Sequence, residues 1–123
     1  MTPSVQLKVL IVDDEPDVGF LFGKILRKRN LTTRFVQNLK EAQESIEAEK
    51  PAVIFLDNNL PDGQGIDIIP RLKADYPETR IIVVTANDTP GDEYKAIQKG
   101  ADGFLGKPLT IDSINRSLGH IGE

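Results

Sequence analysis

Short apolar segments recur along the chain, and the stretches between them carry apolar residues at helical spacing. The segments are residues 7–12, 33–36, 52–56, 80–84 and 103–105. The first four are rich in Val, Ile, Leu or Phe without strict polar alternation, which is typical of strands covered on both faces. The fifth is short and its pattern is weak. Strands that alternate with helices predict a parallel sheet flanked by helices, with right-handed crossovers.

The helical stretches carry start and stop signals. The first has one apolar stripe at i, i+3, i+4, i+7 and i+8, formed by Val18, Leu21, Phe22, Ile25 and Leu26. Asp14 is a candidate N-cap for this helix, and Asn30 is a candidate for its end. Asn38, Thr89 and Thr110 stand in the same capping position before later helical stretches. We therefore predict a helix after each strand.

The third helical stretch contains a proline. Ile68, Ile69, Leu72 and Tyr76 suit a helix, but Pro70 lies among them. Proline is tolerated only in the first turn of a helix, because it lacks an N–H and clashes with the preceding turn. This helix therefore either begins late or kinks at Pro70.

Composition excludes several classes of protein. The chain has 123 residues, which is the size of one domain, so we expect a single unit over residues 1–123. It has no cysteine, which excludes disulfides, thiolate nucleophiles and cysteine-based zinc sites. No apolar run is long enough for a membrane span, and the N-terminus has no signal-peptide pattern. We expect a cytoplasmic protein that does not bind membranes.

The charge pattern does not favour nucleic-acid binding. The net charge is −4, and the one basic cluster comprises Lys24, Arg27, Lys28, Arg29 and Arg34. This cluster lies where the first helix is expected to end, and cations there complement the helix dipole. A nucleic-acid surface would instead need a basic stripe with interleaved aromatic residues. We therefore expect no direct contact with nucleic acid.

Polar residues stand at the predicted carboxyl ends of the strands. Asp13 and Asp14 follow the first strand, Asp57 ends the third, Thr85 ends the fourth, and Lys107 follows the fifth. Ligands of open parallel sheets bind outside these strand ends. Carboxylates suit a hard cation such as Mg²⁺, while an ammonium and a hydroxyl suit the oxygens of a phosphoryl group.

Each of these residues also has a purely structural interpretation. Asp14 could cap a helix, Asp57 could form an Asx-turn, Thr85 suits any strand, and an isolated Lys107 is ordinarily a solvated surface residue. Dinucleotide, P-loop and EF-hand motifs each lack a required residue, and His120 lies in the C-terminal tail. The combination at strand ends is much more specific than any one member.

The same residues resemble a known family. The Asp13–Asp14 pair, followed in order by LDNNLPDGQG, VVTA and GADGFLGKP, is similar to the receiver domain of bacterial response regulators in two-component signalling. The resemblance covers essentially the whole chain. It implies a doubly wound, flavodoxin-like α/β fold, with a five-stranded parallel sheet of order 2-1-3-4-5 flanked by five helices.

The resemblance assigns a role to each acidic residue. Asp57 corresponds to the phosphoacceptor, which takes a phosphoryl group from a sensor histidine kinase or a histidine phosphotransfer protein. Asp13, Asp14 and Asp57 correspond to the carboxylates around Mg²⁺, with Mn²⁺ as an alternative ion. Asn59 corresponds to the residue whose backbone carbonyl contacts this metal.

The resemblance also assigns a switch. Lys107 corresponds to the lysine that contacts the phosphoryl group, and its bond to Pro108 is expected to be cis. Thr85 and Phe104 correspond to the switch hydroxyl and the switch aromatic residue. Their movement is expected to change the surface of helix 4, strand 5 and helix 5, through which a second copy or an output domain would bind.

Some positions depart from the family pattern. Phe104 lacks the phenol of the commoner tyrosine, so its switching must depend on packing. Pro70 and the Pro90–Gly91 pair are unusual in the third and fourth helices, and the latter could leave the fourth helix short or mobile.

The sequence leaves two other functions open. One is a receiver-like binding scaffold that is not phosphorylated, although every chemical position is filled. The other is a magnesium-dependent phosphatase, which would carry an acid where Asn59 stands. We expect no dedicated enzyme, only slow self-dephosphorylation influenced by Asn59 and Asn87. The chain is either a single-domain regulator or the receiver part of a longer protein.

Overall fold

A parallel sheet forms the centre of the computed structural model, which describes residues 7–86 and 89–119. Its strands are β1 (Lys8–Val12), β2 (Thr32–Val36), β3 (Val53–Asp57), β4 (Arg80–Thr85) and β5 (Gly103–Gly106). All neighbouring strands pair in parallel, in the spatial order β2-β1-β3-β4-β5. The predicted fold class and strand order are therefore confirmed.

Helices cover the sheet on both sides. They are α1 (Pro16–Arg27), α2 (Leu39–Glu49), α3 (Ile69–Asp75), α4 (Pro90–Gln98) and α5 (Ile111–Leu118). The buried residues of α1 and α5 belong to one apolar cluster, and those of α2, α3 and α4 belong to another. The sheet separates these two clusters. In the described residues no helix is long and apolar enough to cross a membrane.

The central strand β3 contributes to both clusters, because successive side chains of a strand point to opposite faces. Ile54 and Leu56 pack with α2 and α3, whereas Val53 and Phe55 pack with α1 and α5. The ring of Phe55 lies 4.5 Å, centroid to centroid, from that of Phe22 on α1. Asp57 is thus the last residue of a strand held on both sides.

Three of the predicted helix caps are confirmed. The side chains of Asn38, Thr89 and Thr110 accept hydrogen bonds from backbone amides in the first turns of α2, α4 and α5. Asn30 adopts a left-handed conformation just beyond α1, and the next amide, of Leu31, bonds back to the carbonyl of Leu26 at 3.3 Å. This is the bonding of a Schellman-type helix end.

The prediction that Asp14 caps α1 is wrong. Glu15 occupies the N-cap position and makes no side-chain capping bond, while Pro16 opens the helix. Proline suits the first helical position, because its φ is helical and it has no N–H to satisfy, so one amide fewer needs a capping partner. Asp14 instead contributes an oxygen to the group formed with Asp13 and Asp57.

Two further expectations are decided by the structure. A short 3₁₀ turn over Gly65–Ile68 precedes α3, which begins at Ile69, so Pro70 lies in its first turn and the late start is the correct alternative. The expectation that β2 is covered on both faces is wrong: Thr32, Thr33 and Arg34 are exposed. The strand lies at an edge of the sheet, beside β1 alone, so less of it is covered.

Candidate functional site

Acidic residues meet at the carboxyl edge of the sheet. Asp13 follows β1 and Asp57 ends β3, and these two residues are 1% and 3% exposed. Asp14 is exposed beside them. Each of the three offers an oxygen, and these oxygens lie within 4.8 Å of one another. Parallel pairing of β1 with β3 produces this closeness, because both strands end at the same edge.

Lys107, just beyond β5, reaches into the acidic group. Its ammonium lies 3.0 Å from Asp13 Oδ2, 3.3 Å from Asp57 Oδ2 and 2.9 Å from Glu15 Oε1. The Lys107–Pro108 peptide bond is cis, as predicted. Sequence reasoning did not assign Glu15 a role. Its only signal was adjacency to the acidic pair, since its partner lies 92 residues away.

Burial controls the electrostatics of this group. It raises the pKa of Asp13 above the ordinary value, an effect that the bond from the Glu15 amide and the Lys107 charge only partly offset. Burial likewise raises the pKa of Asp57, and the Asp13 charge adds to the rise. For Lys107, burial lowers the pKa, but its interactions with the carboxylates of Glu15, Asp13 and Asp57 outweigh it and leave the pKa above the ordinary value. One ammonium thus incompletely neutralises the carboxylates around it.

The group fits a hard divalent cation. Asp13 Oδ2 is buried and, among the described residues, makes no hydrogen bond of proper geometry, although it forms the ion pair with Lys107. Such an oxygen can coordinate a metal. Carboxylate oxygens are preferred ligands of Mg²⁺ and Ca²⁺, and an uncompensated negative charge favours their binding.

The loop after Asp57 is held by its own backbone. The amide of Asn58 bonds to the carbonyl of Val84 at 3.1 Å, and the amides of Gly65 and Ile66 bond back to the carbonyl and side chain of Asn58 at 3.0 and 3.1 Å. Between them, Asn59–Leu60 and Gly63–Gln64 form a small antiparallel hairpin that the sequence did not predict. Asn58, overlooked in the sequence, therefore closes this loop.

Two features bring the loop close to the acidic group. The amide of Asn59 bonds to Asp57 Oδ1 at 3.1 Å. A Cβ placed on Gly65 would lie 2.3 Å from the Asp57 carbonyl oxygen, far inside contact distance. Gly65 thus permits a close approach that no other residue allows without displacing Asp57.

Thr85 and Phe104 lie on the same face of the sheet. Val83 belongs to the cluster beneath α4 and is in register with Phe104, which packs against that cluster. Thr85 is two residues beyond Val83, so strand alternation places it on this face too. Thr85 is buried whereas Phe104 is half-buried. Asn87 and His120, considered above, lie outside the described residues.

The chain is similar in sequence to a known protein family. Residues 9–118 match the family model described as the response regulator receiver domain. The response regulator protein PilR of Pseudomonas aeruginosa is 36% identical over 104 residues, which is 85% of this chain but 23% of PilR. The chain thus spans less than a quarter of that relative's length.

Solved structures of receiver domains and response regulators also resemble this chain. The signal receiver domain of a putative Luxo repressor protein from Vibrio parahaemolyticus superimposes with a TM-score of 0.88 at 30% identity, covering 95% of this chain and 91% of that one. A response regulator protein from Burkholderia pseudomallei, solved with a phosphorylated aspartic acid and a calcium ion, superimposes with a TM-score of 0.84 at 28% identity. That match covers 95% of this chain and 69% of the other.

Proposed function

Because the chain belongs to the response regulator receiver domain family, we propose that it is a phosphorylation-controlled signalling module whose phosphoacceptor is Asp57. The observation that carries this proposal is the position of Asp57. It ends a buried strand with one carboxylate oxygen 3.3 Å from the Lys107 ammonium and beside the carboxylates of Asp13 and Asp14. We further propose that residues 1–123 act as one receiver domain in the cytoplasm.

The reaction is a phosphoryl transfer from a phosphohistidine. An Asp57 carboxylate oxygen attacks phosphorus, and a new O–P bond forms as the P–N bond to the donor imidazole breaks. The electron pair of that bond stays on the imidazole nitrogen. The donor is a sensor histidine kinase or a histidine phosphotransfer protein. No proton leaves Asp57, because it reacts as the carboxylate.

Asp13, Asp14 and Asp57 would hold Mg²⁺, or Mn²⁺ in its place, with the Asn59 backbone carbonyl as a further ligand. This ion, when bound, offsets the negative charge of the acidic group and of the incoming phosphoryl group. Lys107 then has a new partner in the phosphoryl oxygens, which carry more charge than a single carboxylate. Asn59 would also influence access of water, and so the slow loss of the phosphoryl group.

Thr85 and Phe104 would transmit the change. A phosphoryl group on Asp57 gives the Thr85 hydroxyl an anionic acceptor, and movement of Thr85 opens space for Phe104 on the same face. Phe104 has no phenol, so its response depends on packing alone. The affected surface comprises α4, β5 and α5. Tyr94, Ile97 and Ile111 are exposed there, which supports binding of an output domain or a second copy.

Intact-mass spectrometry with acetyl phosphate and Mg²⁺ tests this function. We expect wild type to gain one phosphate, and EDTA to prevent the gain. Asp57→Asn should gain none, whereas the matched control Asp75→Asn, which neutralises an exposed carboxylate on α3, should behave as wild type. Phosphorylation of Asp57→Asn would disprove the phosphoacceptor. A folded wild type that takes no phosphate would instead indicate a phosphorylation-independent scaffold.

A further inference from the structure

The N-terminus of α2 is bound by a residue from a distant part of the chain. The first amides of a helix have no partner within the helix. In α2 the Leu39 amide donates to Asp62 Oδ1 at 2.8 Å, and the Lys40 amide donates to Asp62 Oδ2 at 3.1 Å. Asp62 lies in the hairpin turn after Asp57, more than 20 residues beyond the two amides that it binds.

The remaining amides of this first turn are bound locally. The Glu41 amide donates to the Asn38 side chain at 2.8 Å, and the Ala42 amide donates to the Asn38 carbonyl at 3.1 Å. The amides of residues 39–41, which have no partner within the helix, therefore all bond to side chains, and Asp62 accepts two of these three bonds. A carboxylate at this position also interacts favourably with the helix dipole, and these bonds hold the pKa of Asp62 below its ordinary value.

A packing contact reinforces this connection. Gly63, next to Asp62, has φ +148°, and a Cβ there would lie 3.0 Å from Leu39 Cδ1. The backbone of the hairpin turn thus packs directly against the side chain of Leu39, the first residue of α2. Since α2 packs on the sheet through Leu39, Ala42 and Ile46, the hairpin is tied to the core through the helix.

We propose that Asp62 is a positioning residue for the metal site, acting by holding the hairpin against α2. This proposal rests on the proposed function, in which the Asn59 carbonyl is a metal ligand. Asn59 begins the hairpin and Asp62 lies in its turn, with Leu60 and Pro61 between them. At the start of the hairpin, the Asn59 amide donates a hydrogen bond to Asp57 Oδ1. The hairpin thus has one anchor at the acidic group and one on α2, and Asp62 supplies the second.

Magnesium affinity is the decisive measurement. We expect Asp62→Asn, which keeps the size and one acceptor oxygen, to weaken Mg²⁺ binding, and Asp62→Ala to weaken it further, by about tenfold, the lower end of effects seen when groups that orient metal ligands are removed. Glu44→Gln is the matched control, because it neutralises an exposed carboxylate on the same helix. Calorimetry with Mg²⁺ alone, on protein shown by circular dichroism to be folded, gives the dissociation constants.

Amide hydrogen exchange gives a second reading without metal. Loss of the Asp62 carboxylate should speed exchange at Leu39 and Lys40, and also at Asn59 if the hairpin loosens as a unit. Faster exchange at α2 alone, with an unchanged Mg²⁺ dissociation constant in Asp62→Ala, would mean that Asp62 only stabilises the helix and would overturn the proposal. Failure of wild type itself to bind Mg²⁺ would instead count against the proposed function.

Discussion

The strand that ends in Asp57 and the strand that leads to Lys107 are packed very differently. Every residue of β3 is buried, at most 3% exposed, whereas all four residues of β5 are half-buried. The neighbouring helices differ in the same way. α1 buries Phe22, Ile25 and Leu26, but α4 buries only Ala96.

Under the proposed function, this difference in packing separates two tasks. A reacting carboxylate must be held in place, because small displacements from a productive geometry are costly. A surface that changes on signalling must lie where few contacts have to be broken. The tightly packed β3 meets the first requirement, and the lightly packed region of α4 and β5 meets the second.

Truncation of an aromatic residue on each strand tests this contrast most strongly. Phe55→Ala should lower the free energy of unfolding by about 3–5 kcal/mol, because it leaves a cavity against Phe22 in a closed core. Phe104→Ala, at a half-buried position, should lower the free energy of unfolding by only about 1–2 kcal/mol. Urea unfolding of both variants in EDTA gives the comparison. Equal losses would show that the two regions do not differ in packing.

A methyl group beside Asp57 tests how firmly the acidic residue is held. Gly65→Ala should lower the free energy of unfolding by about 1–3 kcal/mol and slow phosphorylation, because the new Cβ clashes with the Asp57 carbonyl. Gly23→Ala on α1 is the control, since nothing lies within 4 Å of its Cβ position. The free energy of unfolding of this control should rise by about 0.4–1 kcal/mol. If Gly65→Ala left both the free energy of unfolding and the phosphorylation rate unchanged, the loop would be able to shift away from Asp57 without cost.

In the lightly packed region of α4 and β5, a substitution that restricts the backbone should change the conformational equilibrium. Gly91→Ala fits without strain, since the nearest atom to its Cβ position is Thr89 Oγ1 at 3.8 Å, and it should stabilise α4 by about 0.4–1 kcal/mol. We expect this to shift the equilibrium between inactive and active conformations. NMR spectra of the unphosphorylated and phosphorylated protein report that shift. Spectra that match wild type in both states would contradict it.

A small pH effect tests the connection that Asp62 makes between the hairpin and α2. Because the folded pKa of Asp62 is lowered, its carboxylate stabilises the fold fully above the unfolded pKa of about 3.9, and the contribution declines as pH falls through the folded value. The melting temperature of Asp62→Asn should therefore be below that of wild type at pH 6, and the difference between the two melting temperatures should narrow toward pH 3. Glu44→Gln, which neutralises an exposed carboxylate on the same helix, serves as the control. A gap independent of pH would exclude an ionic contribution.

Local signals made much of the fold predictable. Apolar runs located the strands to within one or two residues, and Asn38, Thr89 and Thr110 located helix starts, because a cap bonds within its own first turn. Strand ends located the acidic group, because the carboxyl ends of parallel strands share an edge.

Longer-range contacts had no such signal. The bond between Glu15 and Lys107 and the hold of Asp62 on α2 join residues far apart in sequence, and no spacing rule encodes them. For Asp14, the cap was wrong because Pro16 sets the helix start one residue later, but its predicted place beside Asp13 and Asp57 agrees with the structure. The partial exposure of β2 depended on its place in the sheet rather than on its composition.

The single ammonium of Lys107 has a kinetic consequence. It is surrounded by the carboxylates of Asp13, Glu15 and Asp57, so this end of the sheet carries an excess of negative charge. A phosphodonor is itself an anion and is repelled by that field. Under the proposed function, events therefore have an order, with the cation arriving first and the donor second. The free Mg²⁺ concentration would then help to set how quickly a signal is received.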